Sequence, residues 1–175
     1  VLSREKGQTE ITTDKGIEVF QNDKYYLLKE NVKIESDEYQ LVADIVKAYF
    51  DKDLYDITNL YAEGKVILNS KNKKISAKGN ILEFTLKEEK IKIKGKNSEL
   101  NLNETNLFSD GMIEVNNKNG NFLLNGKNSK LYNKNITVTG SDIKGKFTSI
   151  ENKKEIIELN VEDEKLANIK TDDID

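Results

Sequence analysis

Apolar residues return at every second position in one short segment after another, and this alternation restricts the chain to strands. "KYYLLKENVKIES" carries Tyr26, Leu28, Val32 and Ile34 at even positions, with Lys33 and Glu35 between or beside them. "KVILN" supplies Val66 and Leu68, "KKISAKG" Ile75 and Ala77, "KIKIKG" Ile91 and Ile93, and "ELNLN" Leu100 and Leu102. Phe122, Leu124, Ile136, Val138, Leu159 and Val161 continue the series in "NFLLNG", "KNITVTG" and "EIIELNVED". A two-residue period puts successive side chains on opposite faces of a pleated strand, so each segment has one apolar and one wet face. Gly, Asn and Asp between the segments supply turn chemistry. The reading is all-β.

A second regularity is longer. "GKNS", one variable residue and Leu occur twice, beginning at Gly95 and Gly126, 31 residues apart, and Gly64 of "AEGKVIL" lies 31 residues before Gly95. Asn31-Val32 is echoed by Lys65-Val66, and Ala43 by Ala77, each at 34 residues. At roughly ten residues per strand and turn, such a unit holds about three or four strands. Stacked units cover apolar faces that none could bury alone. The repeated phrase reads as a turn plus the start of the next strand, with Gly and Asn chosen for their tolerance of positive φ.

Composition narrows the chemistry. The 175 residues suffice for one domain, taken as 1–175. Charged residues are 34%, yet the net charge is only −3 and Arg4 is the single arginine, which disfavours nucleic acid as a partner. With no His and no Cys, the commonest general base, the Ser-His-Asp triad, disulfides and thiolate metal sites are all excluded. No cofactor or metal is expected. No run of roughly 18 apolar residues spans a membrane as a helix. The start at Val1 and the stop at "KTDDID" read as those of a processed or trimmed fragment.

Three local patterns have plainer readings than their chemical ones. "GSDIKGKFT" approaches a phosphate-binding loop, but Phe147 stands at the magnesium-binding position and no helix pattern follows, so a glycine-turned hairpin is expected. Asp51, Asp53 and Asp56 in "FDKDLYD" lack the Gly and terminal Glu of a calcium loop and read as a solvated turn. Tyr25, Tyr26, Tyr49, Tyr55 and Tyr61 suit carbohydrate stacking, but aromatic residues are also ordinary strand formers. Two windows, "DEYQLVADIVKAYFDKD" and "LYDITNLYAEG", and the tail from Glu155 show helical as well as strand spacing and stay open on periodicity alone.

The order of motifs in residues 10–102 resembles the OstA-like domain family of lipopolysaccharide-export proteins, the LptA type. "EITTD" matches its opening strand at Ile11–Asp14, and "ENVKI" its next, with Glu30 where glycine is usual. "LVAD" at Leu41–Asp44, "AEGKVIL" and "ISAKGNILEFTLKEEKIKIKG" follow in register. The resemblance implies an open β-jellyroll of stacked antiparallel strands, which would make both ambiguous windows β. It also implies a non-catalytic protein of the periplasm that carries lipopolysaccharide with its acyl chains in an apolar groove. Partners implied are LptC-like and LptD-like jellyroll domains and further copies of the chain, joined end to end through strand edges.

Parity nominates the groove lining: Ile11, Tyr26, Leu28, Val32, Ile34, Leu41, Val66, Leu68, Phe84, Ile91, Ile93, Phe122 and Leu124. Each is equally what an ordinary core contains. Lysines near the groove mouth would suit lipid phosphates, and the sequence does not choose among them. Two other classes stay in view: a structural β-solenoid or adhesin-like repeat with a filled core, and a carbohydrate-active β-helix enzyme.

Overall fold

The computed structural model describes residues 7, 9–72, 74–150, 153–162 and 168–171; Arg4, residues 163–167 and the end of the tail at 172–175 lie outside them. The described residues contain strands and no helix. The first seven strands are β1 (Glu10–Thr12), β2 (Ile17–Phe20), β3 (Tyr25–Glu35), β4 (Tyr39–Phe50), β5 (Ile57–Ser70), β6 (Ile75–Thr85) and β7 (Lys90–Lys94). They are followed by β8 (Ser98–Leu102), β9 (Thr105–Ser109), β10 (Met112–Asn116), β11 (Asn121–Asn133), β12 (Ile136–Ile150), β13 (Lys153–Glu162) and β14 (Asn168–Thr171). All fourteen belong to one antiparallel sheet.

The sheet is folded lengthwise into two walls. The first wall takes β2, then the parts of β3, β4, β5 and β6 near residues 25–29, 45–49, 59–63 and 81–85, then β7, β10 and the first half of β11. The second takes β1, the other halves of β3 to β6, then β8, β9 and the second half of β11. Strand β12 likewise serves both, pairing with β13 in one wall and β14 in the other. Long strands therefore run through a shared corner, as β-bulges allow by bending a strand while keeping it paired.

The corner explains both irregularities of the sequence. Register slips between Lys29 and Val32, Val42 and Ile45, Glu63 and Val66, and Asn125 and Ser129. In β4 the slip shifts the buried positions from Tyr39, Leu41 and Ala43 to Val46, Ala48 and Phe50. A one-residue change of phase inside an alternating strand is what gave this window its helical spacing. In the second window Leu54 and Tyr55 lie in the β4–β5 loop, and only Ile57 onward is strand.

The "GKNS" phrase forms the corner: in the first copy it is the expected turn leading into β8, and in the second the same geometry lies within β11. Gly95 and Gly126 have φ of 116° and 126°, and Asn97 and Asn128 have 61° and 57°. Ser98 and Ser129, both buried, each donate from Oγ to the carbonyl of their own glycine, at 2.6 and 2.8 Å. The two copies share one local geometry. The first interrupts the chain between β7 and β8, while the second is a bulge inside β11. Upstream, Glu30 and Asn31 (φ 62° and 48°) and Gly64 and Lys65 (84° and 48°) do the same for β3 and β5. Glu30 thus occupies a left-handed site without the benefit of glycine, at a cost of roughly 1–2 kcal/mol. The expected hairpin at Gly140–Lys146 is corrected: these residues run inside β12.

Asp110, between β9 and β10, ties the two phrases together. Its carboxylate accepts the Asn97 backbone N–H at 2.9 Å and the Asn128 side-chain N–H at 2.7 Å. These hydrogen bonds, the Asn128 one foremost, hold the Asp110 carboxyl below its usual range. A lowered folded-state pKa contributes stability that is complete above the unfolded value of about 3.9 and vanishes as pH falls through the folded one. We expect Asp110→Asn to lower the melting temperature near neutral pH and the deficit to shrink below about pH 4. A deficit that stays constant down to about pH 2.5 would contradict this assignment.

Candidate binding cleft

The inward faces of the walls meet in one apolar layer. Leu28, Val32, Ile34, Leu41, Ile93 and Leu124 are wholly buried there, and Tyr26, Val66, Leu68, Ile91 and Phe122 nearly so. Ile11 and Phe84 are only partly buried. All the residues nominated by parity thus lie on the inner faces of the two walls, most of them packed against each other. Across the cleft from the corner the walls end in two rows of turns, and there the layer opens.

One opening is a cavity of about 170 Å³ between the rows. Tyr39, Leu68 and Ile75 line it from the second wall, and Phe84, Leu86 and Ile91 from the first. Tyr39 and Phe84 meet edge to face with centroids 5.7 Å apart, closing the mouth from both sides. Burial pushes the Tyr39 phenol up to about 12, with Glu38 adding a smaller push. The polar rim is Glu38, Ser70, Asn72, Glu89 and Asn117, and among the described residues no lysine lines this mouth. Nearby Lys71 is held by Glu35 at 2.9 Å, and Lys90 by Glu114 at 2.9 Å.

A second opening, about 190 Å³, lies at the β1–β2 end of the layer. Thr9, Ile11, Ile17, Val19, Leu54, Tyr55 and Tyr26 line it. Ile17 and Val19 are 51% and 42% exposed, Tyr55 71%, whereas Tyr26 is 2% exposed. Tyr26 stacks on Phe50 at 6.1 Å, and its hydroxyl has no hydrogen-bond partner among the described residues. Burial raises its phenol pKa, with Tyr39 and Tyr55 adding to the effect.

The groove nomination left out Tyr39, Ile75 and Leu86 at the mouth. Ile75 already stood in the alternating pair of "KKISAKG", and extending the alternation two residues from Leu41 and Phe84 reaches Tyr39 and Leu86. Tyr55 and Leu54, in a loop, carried no such signal. The Asp51–Asp56 loop is a hydrogen-bonded turn: Asp53 accepts the N–H groups of Tyr55 and Asp56, and Asp56 that of Lys52. Among the described residues no cluster of acidic side chains could hold a metal ion.

The folded double wall is the architecture of a known transport family. A family model described as "LptA/(LptD N-terminal domain) LPS transport protein" matches residues 10–121. The chain belongs to this family. Members of the LptA/LptD N-terminal family are transport components and not enzymes, and this one has the same all-β jellyroll. Its fold is similar to the crystal structure of LptH of Pseudomonas aeruginosa, described as the LptA-homologous periplasmic component of the lipopolysaccharide transport device. The TM-score is 0.53 at 10% identity, over 63% of this chain and 76% of that one. No curated protein matches by sequence.

Proposed function

We propose that this LptA-family protein is a periplasmic, non-catalytic lipopolysaccharide carrier that takes acyl chains between its two walls and forms part of a bridge between membranes. The observation that carries the reading is the apolar layer leading to a mouth lined by Tyr39, Leu68, Ile75, Phe84, Leu86 and Ile91 from both walls. Each methylene taken from water into such a layer contributes about 0.8 kcal/mol. A chain of about twelve carbons therefore supplies on the order of 10 kcal/mol, gross, against the cost of parting the walls. The nominated residues Ile11 through Leu124 act in this reading as the surface that receives the chains. The outer edges of β1 and β2 at one end, and of β13 and β14 at the other, suit strand pairing with LptC-like and LptD-like domains or another copy.

The close packing of Leu28, Ile34 and Ile93 favours a second reading, a filled structural β-protein without ligand. Photo-cross-linking separates the two. A photoreactive phenylalanine analogue at Phe84, which faces the mouth, is expected to give a lipopolysaccharide adduct. The same analogue at the outward Glu83 is expected to give none. No adduct from position 84 in the folded protein would sink the carrier reading.

A further inference from the structure

At the β1–β2 end of the apolar layer, one buried polar atom is out of place. The Tyr26 hydroxyl sits on a side chain that is 2% exposed, lines the β1–β2 end opening, and has no hydrogen-bond partner among the described residues. Leaving a buried hydroxyl unsatisfied is costly, and phenylalanine would fill the same shape without that cost. The described neighbours offer no replacement partner. Phe50 presents a ring face, and Ile11, Ile17, Val19 and Leu54 present only carbon side chains. Thr9 and Tyr55 are the other polar residues around the opening, and neither bonds to Tyr26.

We infer that the β1–β2 opening is a subsite for an acyl chain bearing an oxygen substituent, and that Tyr26 is its specificity-determining residue. The inference rests on the carrier reading above and adds a chemical preference to it. A plain hydrocarbon chain entering here satisfies Ile11, Ile17, Val19 and Leu54 but leaves the phenol as it was. A chain with a hydroxyl or an ester oxygen in reach gives the phenol an acceptor. The chain's own polar group, which would otherwise lose water for nothing, is satisfied by the same bond.

The test uses the full chain and two soluble probes, tetradecanoate and 3-hydroxytetradecanoate, each titrated by displacement of a fluorescent fatty-acid reporter. The parent protein is expected to prefer the hydroxylated chain by about five- to tenfold, the range of one hydrogen bond to an otherwise unpaired group. Tyr26→Phe is expected to bring the ratio of the two affinities to about one, whatever the change in absolute affinity, since only the hydroxyl is gone. Equal binding of both probes by both proteins would overturn the role of Tyr26 and leave the carrier reading standing. Failure of the parent to bind either probe would overturn both. Melting temperature supplies an independent readout: Tyr26→Phe should melt no lower than the parent without ligand. A clear drop would mean that the hydroxyl is already satisfied in the free protein, and would also overturn the inference.

Discussion

Gly111→Ala is expected to cost about 2–4 kcal/mol of folding free energy, a loss at the large end for a single methyl group. Gly111 and Gly126 lie back to back at the corner, one just before β10 and the other in the bulge of β11. A Cβ on Gly111 would press into the Asn125 carbonyl oxygen and come within 2.9 Å of the Gly126 Cα. A Cβ on Gly126 would reach within 2.7 Å of the Gly111 Cα, at a φ of 126° that L-residues rarely adopt. The obstacles are backbone atoms in a paired ladder, so no rotamer change relieves them. Gly16→Ala is the control: its φ is 81°, but nothing lies within 4 Å of the added carbon, so only the conformational cost of about 1–2 kcal/mol applies. Denaturant titration of the two variants should separate them clearly. Equal losses would mean that the close approach of the two glycines is absent in solution.

Leu28→Ala is expected to lose about 2–5 kcal/mol, against less than about 1 kcal/mol for Leu27→Ala. Leu28 is wholly buried between the walls, opposite Ile17 and Val46 on the neighbouring strands. Leu27 lies on the outer face between Glu18 and Lys47 and is only partly covered. For a chain of this size the larger loss lowers the melting temperature by roughly 5–15 °C. The reverse ranking would mean that β3 is slipped by one residue, because such a slip exchanges the two faces. Under the carrier reading, a bound acyl chain fills part of the space vacated in Leu28→Ala. Added lipopolysaccharide should then recover more stability in this variant than in the parent.

Alternation was enough to read the all-β class, and parity put Leu28, Val32, Ile34 and Ile93 on the inner face, because within each half-strand the period is undisturbed. It failed where the backbone bends. Asp44 and Ile45 change the phase of β4, so a strand that crosses from one wall to the other imitates a helix. The glycine-asparagine phrase announced positive φ correctly, but a hairpin turn and a bulged corner ask for the same torsions, and sequence cannot tell one from the other. The openings were the least legible part. Tyr39 and Phe84 meet across the mouth from strands that are far apart in sequence order, and Leu54 and Tyr55 reach the end opening from a loop without periodicity.

The shared corner has a mechanical consequence. Because β3, β4, β5, β6, β11 and β12 each belong to both walls, the walls cannot drift apart as separate layers would. They can only swing, as the covers of a book swing about its spine, by turning the torsions at Glu30-Asn31, Gly64-Lys65 and Gly126–Asn128. The strand segments on either side of each hinge point are laddered to their neighbours, so a wedge driven in at one strand tilts the strands beside it. Under the carrier reading, cargo admitted at one place along the mouth lowers the work of admitting the next segment beside it, and the gape travels along the spine with the load.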